Sequence, residues 1–560
     1  MTGEKTDAGE IILQPDTGPD GRQSYRSSFA PDGSGKTKVL MAEQPAVIPV
    51  VFLPGIMGTN LRNKSSGEAV WRPPNASFRP TDIMAILGAL MTWPRYGAKR
   101  RQQLLDGEAV EVDDRGSIST GNSGLSRDTA RERGWGTVSR SSYNPIMARL
   151  QESLNSIVRA GNPEAWWAEE GARDPADYGE ELGGNEPLST EELQHASLYQ
   201  FDVWCCGYNW LKSNRDSAEH LKGYIEHTVL AHYRSREDVA DQVDDMKVIL
   251  VTHSMGGLVA RALKLVENGD ERVLGVVHGV QPATGAPAIY HHMRCGYEGF
   301  VRFILGRNAG QVTAVSANSA GAMELTPSFD HHDGKPWLFA CKEGEWDPES
   351  TESMPLRLPL AGNPYEEIYK SPEWYGLVPR QNEKYLDLSG GAAGSPERGL
   401  RFKFDVLVDK VGEFHADVSR NYHSLTYAHY GADEHEDMHS WRDVVWQGDV
   451  SLLGTPGGSP EDDGRGSYRR SGMKGAPRIT AVEGAGDGTV CDRSGAAPGR
   501  AGVQASFRHG QQGSGQFNNS IKGYDHQGSY NDKHGSRTEW MTLFSIAKIS
   551  KEADWHPEAK

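Results

Sequence analysis

The sequence predicts an α/β fold with a mainly parallel sheet. Two observations carry that expectation. Continuous apolar runs, "AVIPVVFLPGIMGTNL" from Ala46, "DMKVILVTHSMGG" and "VLGVVHGV", read as strands buried on both faces, as parallel strands are. Runs of helical periodicity, "SAEHLKGYIEHTVLAHYRSR" and "GLVARALKLVEN", alternate with them, and such alternation builds βαβ units. A chain of 560 residues can bury one large core or two moderate ones.

Residues 1–45 are rich in Gly, Asp and Lys and read as a polar tail. Residues 46–286 form the first part of the sheet domain. Its first strand ends in a turn with Pro54, Gly55 and Gly58, and "YQFDVWCCGYNWL" is a further strand. Within it, residues 64–195 are irregular and hold the acidic stretch "WWAEEGARDPADYGEELGGNEP", so they read as an insertion. Residues 287–400 lose the alternation and are expected to form an inserted cap or lid. Residues 401–560 return to the sheet domain, with a strand near "SLTYAHYGAD", a flexible loop at 453–477, a strand in "RITAVEGAGDGTV" and a closing helix in "TEWMTLFSIAKISKE".

The formal charge is −17, from 59 basic and 76 acidic residues. That balance argues against nucleic acid and against electrostatic adhesion to anionic lipid, both of which need a basic face. The five cysteines show neither a disulfide framework nor metal-ligand spacing. The first residues lack the apolar segment of a signal peptide, so synthesis in the cytoplasm without one is expected. No run approaches the roughly 18 apolar residues of a spanning helix. The run Ile83–Trp93, "IMAILGALMTW", reads equally as a buried cap helix or an interfacial lid.

The chemistry centres on "ILVTHSMGGLVARAL". A serine at a tight strand-to-helix turn, with small residues around it, has the form of a nucleophile elbow, although Thr252 stands where the first glycine of G-x-S-x-G belongs. Ser254 is the candidate nucleophile, and it needs a base. Acyl transfer also needs two N–H donors aimed at the developing oxyanion. Met255, after the serine, supplies one, and the loop "FLPGIMGTN" supplies the other at Met57, with Ile56 beside it as a candidate substrate-binding residue. In the chain order Ser, Asp, His of an α/β-hydrolase, Asp487 in "EGAGDGTV" is the acid, and an Asx turn is its bland alternative. For the base, His526 in "KGYDHQGSYND" is favoured, with His534 as runner-up and His509 and His556 also downstream. On these features the fold class sharpens to an α/β-hydrolase with a large inserted cap.

Other residues have blander readings. His253 reads as packed in the elbow, in contact with substrate at most. Tyr208 and Trp210 line an acyl groove or pack the core, and the sequence does not separate the two. The stretch "HADVSRNYHSLTYAHYGADEHEDMH" holds five histidines but no H-E-x-x-H spacing, so no metal and no cofactor are expected, with calcium left open. If Thr252 only fills space, Thr252→Gly leaves activity largely intact.

The motifs "FLPGIMGTNL", "GYNW", "THSMGG" and "GDGTV" together resemble the lecithin:cholesterol acyltransferase-like lipases and the GPI inositol-deacylase-like lipases. The stretches "HGVQPATGAPAIYHHMRCG", "AGAMELTPS" and "GYDHQGSYND" resemble the lipase effectors of bacterial type VI secretion systems. That resemblance implies an antibacterial serine phospholipase of the A type, with A1 favoured, acting on membrane phospholipids in the periplasm of target cells. It also implies a cognate immunity protein and a spike or tube carrier. Acyl transfer, another carboxylesterase activity, or a non-catalytic binding protein of the same fold are the alternatives.

Overall fold

A computed structural model describes residues 46–72, 95–159, 162–297, 306–387, 399–434, 438–450, 461–469, 472, 475–510, 523–530 and 537–556, together with the backbone of short strands before residue 46. Ile83–Trp93 and His534 lie outside the described residues.

The central sheet has seven strands. In chain order they are β1 (Ala46–Leu53), β2 (Glu180–Leu182), β3 (Tyr199–Cys205), β4 (Val248–His253), β5 (Val273–Gly279), β6 (Thr426–Gly431) and β7 (Ala505–His509). Across the sheet the order is β2-β7-β6-β5-β4-β1-β3. Six strands run parallel, and only β2, at one edge, pairs antiparallel, with β7. β1, β3, β4 and β5 are buried along their whole length, which is why β1, β4 and β5 read as largely apolar runs, whereas β3 also buries Gln200 and Asp202, the latter paired with Arg133 at 3.0 Å. The protein is an α/β-hydrolase, as the sequence predicts.

Two organisational expectations change. Residues 64–195 are more than an insertion, because they supply β2 and the helix α1 (Arg140–Leu154). α1 closes the free edge of β3. Gln151 accepts from the Val203 N–H at 2.9 Å and donates to the Phe201 carbonyl at 2.9 Å, while Asn155 accepts from the Phe201 N–H at 2.9 Å. An exposed strand edge is thereby satisfied by side chains instead of a further strand. The cap, in turn, does not stop at residue 400. Its own four-stranded sheet joins Leu356–Leu358 and Leu338–Cys341 to Ser440–Gln447 and Arg478–Gly484, so the chain leaves for the cap, returns through β6, and leaves again. A strand's periodicity shows that it is a strand and not which sheet it joins. In the polar stretch before residue 46, Glu10–Leu13 pairs in parallel with Thr37–Leu40.

Two further helices frame the sheet near the elbow. α2 (Gly256–Ala262) leaves the elbow, and α3 (Arg537–Ser550) packs beneath the sheet with its Ile549 against Gly275 of β5. Among the described residues, no helix is long and apolar enough to cross a membrane.

Candidate active site

Three adjacent strands, β1, β4 and β5, release their chains at the same edge of the sheet, and β4 carries the elbow. Ser254 follows β4 directly and adopts φ 54°, a left-handed conformation that non-glycine residues rarely take. Gly256 has no room for a side chain: a Cβ there would lie 2.7 Å from the Leu53 and Pro54 carbonyl oxygens. Two residues before the serine, Thr252 fits because its hydroxyl turns sideways along the sheet to His278 Nδ1, 3.0 Å away on β5.

The structure brings His526, and none of the other described histidines after Asp487, to the serine. Its Nε2 lies 2.8 Å from Ser254 Oγ, and its Nδ1 lies 2.8 Å from Asp487 Oδ2. A carboxylate can only accept, so Nδ1 carries the proton and Nε2 is free to accept from the serine hydroxyl. His509, on β7, is fully buried between the Tyr524 hydroxyl and the Tyr178 carbonyl. His556 is buried at the far end of the chain, its N–H directed to the Tyr199 hydroxyl.

The candidate acid, Asp487, is held by groups that carry no sequence signal. Asp487 Oδ1 accepts from the N–H groups of Thr489 (3.1 Å) and Val490 (2.7 Å), so the Asx turn offered as an alternative reading and the contact with histidine coexist, made by the two oxygens of one carboxylate. Ser440 Oγ accepts from the Asp487 N–H at 3.2 Å. Gly431, at the end of β6, leaves the space the acid fills, since a Cβ there would meet Asp487 Cβ at 2.6 Å. Asp433, two residues on, pairs through its backbone with Gly486 and accepts the Gly523 N–H at 2.7 Å. One short stretch after β6 therefore anchors both the acid loop and the histidine loop. Finally, the His526 N–H donates to the Asp487 carbonyl at 2.7 Å.

His253 is packed in the elbow, and it also links two loops. It is 2% exposed, and burial, followed by the proximity of His526, pushes its pKa down to about 3, so it is neutral. Its Nε2 donates to the His526 carbonyl at 3.0 Å, which leaves Nδ1 to accept from the Tyr143 hydroxyl at 3.1 Å. That hydroxyl accepts in turn from the Gly55 N–H at 3.1 Å. One chain of hydrogen bonds thus joins the loop after β1 to the backbone of His526. No sequence signal pointed to Tyr143, which lies 110 positions from its partner.

In the loop after β1, Met57 has φ 63° and its carbonyl accepts from Trp71 Nε1 at 2.7 Å. The N–H groups of Met57 and Met255 donate to no described residue. Ile56 is half-buried beside them. Tyr208 and Trp210 sit in the core: the Tyr208 hydroxyl donates to the Pro54 carbonyl at 2.7 Å, bracing the loop from below, and Trp210 packs edge-on against Trp71.

Of the histidine-rich stretch, His415 binds the Tyr365 hydroxyl and the Glu324 carbonyl, His429 the hydroxyls of Tyr524 and Tyr530, and His439 the Glu434 carbonyl. Among the described residues, no group of three or more His, Cys, Asp or Glu side chains is placed to hold a metal ion.

No protein-family model matches the chain, and no curated protein does. A chain of the crystal structure of the Tle4–Tli4 complex matches it with 51% sequence identity, over 91% of this chain and 100% of that one, at a TM-score of 0.84. The chain belongs to the Tle4 family of type VI lipase effectors. As a Tle4-family protein it is a lipase and an antibacterial toxin, exported for delivery into target cells. The match bears out the resemblance to type VI lipase effectors carried by "HGVQPATGAPAIYHHMRCG", "AGAMELTPS" and "GYDHQGSYND".

Proposed function

We propose that this Tle4-family lipase is a serine phospholipase A whose nucleophile, base and acid are Ser254, His526 and Asp487. The observation that carries this reading is the unbroken pair of 2.8 Å contacts from Ser254 Oγ through the His526 ring to Asp487. His526 Nε2 takes the serine proton as Oγ attacks the ester carbonyl, and Asp487 holds the tautomer and stabilises the imidazolium. The otherwise uncommitted N–H groups of Met57 and Met255 receive the oxyanion. The tetrahedral intermediate collapses, His526 returns the proton to the leaving glycerol oxygen, and water then releases the fatty acid from the acyl-enzyme by the same steps. The kinship with GPI inositol-deacylase-like lipases and the preference for the A1 position rest on the motif resemblance.

The Tle4 relative was solved with Tli4, which supports a cognate immunity protein for this chain too. A phospholipid substrate, a spike or tube carrier, and action in the target periplasm belong to the same proposal.

The test pairs fluorophosphonate labelling with fatty-acid release from phospholipid vesicles. The parent protein is expected to label at Ser254 by mass spectrometry, and Ser254→Ala to lose turnover by about 10³-fold or more. Equal fatty-acid release by both proteins would overturn the assignment. Positional analysis of the released acids reads out A1 against A2, and an added alcohol acceptor reads out acyl transfer.

A further inference from the structure

Seven non-glycine residues of the described chain have positive φ, and three of them stand at one edge of three neighbouring strands. Met57 follows β1, Ser254 follows β4, and Val280 follows β5 with φ 46°. The first two conformations aim the oxyanion donor and the nucleophile of the proposed site. Val280 is the only β-branched residue of the seven, and for such a side chain a left-handed backbone is a true outlier. Strain of this kind persists where the surrounding structure over-determines it, and it gathers at functional sites.

The residue this third turn aims is Gln281. β4 and β5 leave the sheet side by side, with His253 in register with Gly279 and the Ser254 N–H bound to the Gly279 carbonyl at 2.9 Å. Gln281 then lies against the start of α2, where a Cβ on Gly257 would meet its Nε2 at 2.6 Å. Gly257 is three residues from Ser254 and two from Met255. Gln281 is 2% exposed, yet neither its Oε1 nor its Nε2 has a hydrogen-bond partner among the described residues. A buried carboxamide with both ends unpaired is unfavourable for folding. Here it stands beside a site whose triad side chains are all committed to one another.

Resting on the serine phospholipase reading, we propose that Gln281 is a substrate-binding residue whose carboxamide engages the polar, ester-bearing glycerol portion of the bound phospholipid. An acyl chain offers a carboxamide nothing. The glycerol esters and phosphodiester are the hydrogen-bonding part of the substrate next to the scissile carbonyl, and a neutral group that both donates and accepts suits ester oxygens and headgroup hydroxyls alike.

The experiment compares Gln281→Leu with the parent in three assays: hydrolysis of phosphatidylethanolamine vesicles, turnover of p-nitrophenyl acetate, and fluorophosphonate labelling of Ser254. The acetate and the probe lack the glycerol portion. Vesicle hydrolysis is expected to fall roughly tenfold or more, as for one lost hydrogen bond in the transition state, while acetate turnover and labelling stay within about twofold. Tm is expected to hold or rise, because an unpaired buried amide has been replaced by an apolar side chain. Parental vesicle hydrolysis would overturn the proposal. So would a joint fall in all three readouts with a lowered Tm, which marks a structural glutamine, whether it acts directly or through a bridging water. Gln281→Met, unbranched and of similar length, gives the same comparison if the leucine variant does not fold. Failure of the parent itself to label at Ser254 overturns both the proposal and the reading beneath it, and is visible before any variant is made.

Discussion

The proposed nucleophile and the proposed acid–base pair are held by two different kinds of structure. Ser254 sits on a contiguous unit: a fully buried strand, a left-handed turn and a helix, closed from the side by the loop after β1. Asp487 and His526 sit on loops, pinned by single residues drawn from the end of β6, the first residue of a cap strand and the elbow itself. Disturbing the first kind of support strains a packed core, with stability reporting the damage. Disturbing the second loosens one or two hydrogen bonds around a reacting group, with turnover reporting the damage.

The largest expected effect tests that division on the acid side. Asp487→Asn keeps an oxygen able to accept from the Thr489 and Val490 N–H groups, but its amide now faces His526 Nδ1 and favours the wrong tautomer. Turnover on phospholipid vesicles is expected to fall about 10³–10⁴-fold, with fluorophosphonate labelling of Ser254 slowed to match. Tm should barely move. A large drop in Tm would mean that the acid loop is as much a part of the core as the elbow is, and the division would fail.

The same division explains how much could be read from the sequence. The elbow, the loop after β1 and the parallel sheet were legible because each is a contiguous run whose apolar continuity or turn chemistry is local. Asp487 was legible because "GDGTV" encodes its own turn. His526 was one of four downstream histidines, since nothing local tells a ligand of Asp487 from His509, buried on a strand. Gly431, Asp433, Ser440 and Tyr143 were invisible: each acts on a partner that only the fold brings near. His253 was legible as packed, but its role as a link between two loops depends on Tyr143 and on the His526 carbonyl, and neither leaves a trace in "THSMGG". The cap boundary at residue 400 failed for a related reason, because the strand Ser440–Gln447 has no local mark of the sheet it joins.

Tyr143→Phe sharpens the comparison, because this hydroxyl spans both supports. The phenylalanine ring can keep the contacts with Phe52 and His253, whose centroids lie 5.3 and 5.5 Å away. What disappears is the bridge between the Gly55 N–H and His253 Nδ1. The loop carrying Met57 and the backbone of His526 then lose their common anchor, and kcat is expected to fall about tenfold with KM little changed. The cost in stability should be about 1–2 kcal/mol, from two buried groups left without a partner. Steady-state kinetics beside urea unfolding separates the two. An unchanged kcat would show that the link only fills space.

Thr252→Gly lies at the other extreme, entirely on the core side. From the sequence, glycine is expected to restore the usual elbow and leave activity largely intact. To that expectation the structure adds a cost in stability. The Thr252 hydroxyl and His278 Nδ1 are both fully or almost fully buried and 3.0 Å apart, and burial holds His278 neutral, its pKa pushed down to about 3. Glycine leaves that ring nitrogen unpaired and adds backbone freedom near the end of a buried strand. Together these should destabilise the fold by about 2–4 kcal/mol. Thr252→Ser, which keeps the hydroxyl, should recover most of the loss. Active-site titration with a fluorophosphonate fixes the folded fraction, and turnover per labelled site should stay within about twofold of the parent, because neither Ser254 nor its partners touch the threonine side chain. If turnover per site falls while stability holds, the threonine shapes the elbow itself, and the separation between a stability-reporting core and turnover-reporting loops does not extend to the residue two before the nucleophile.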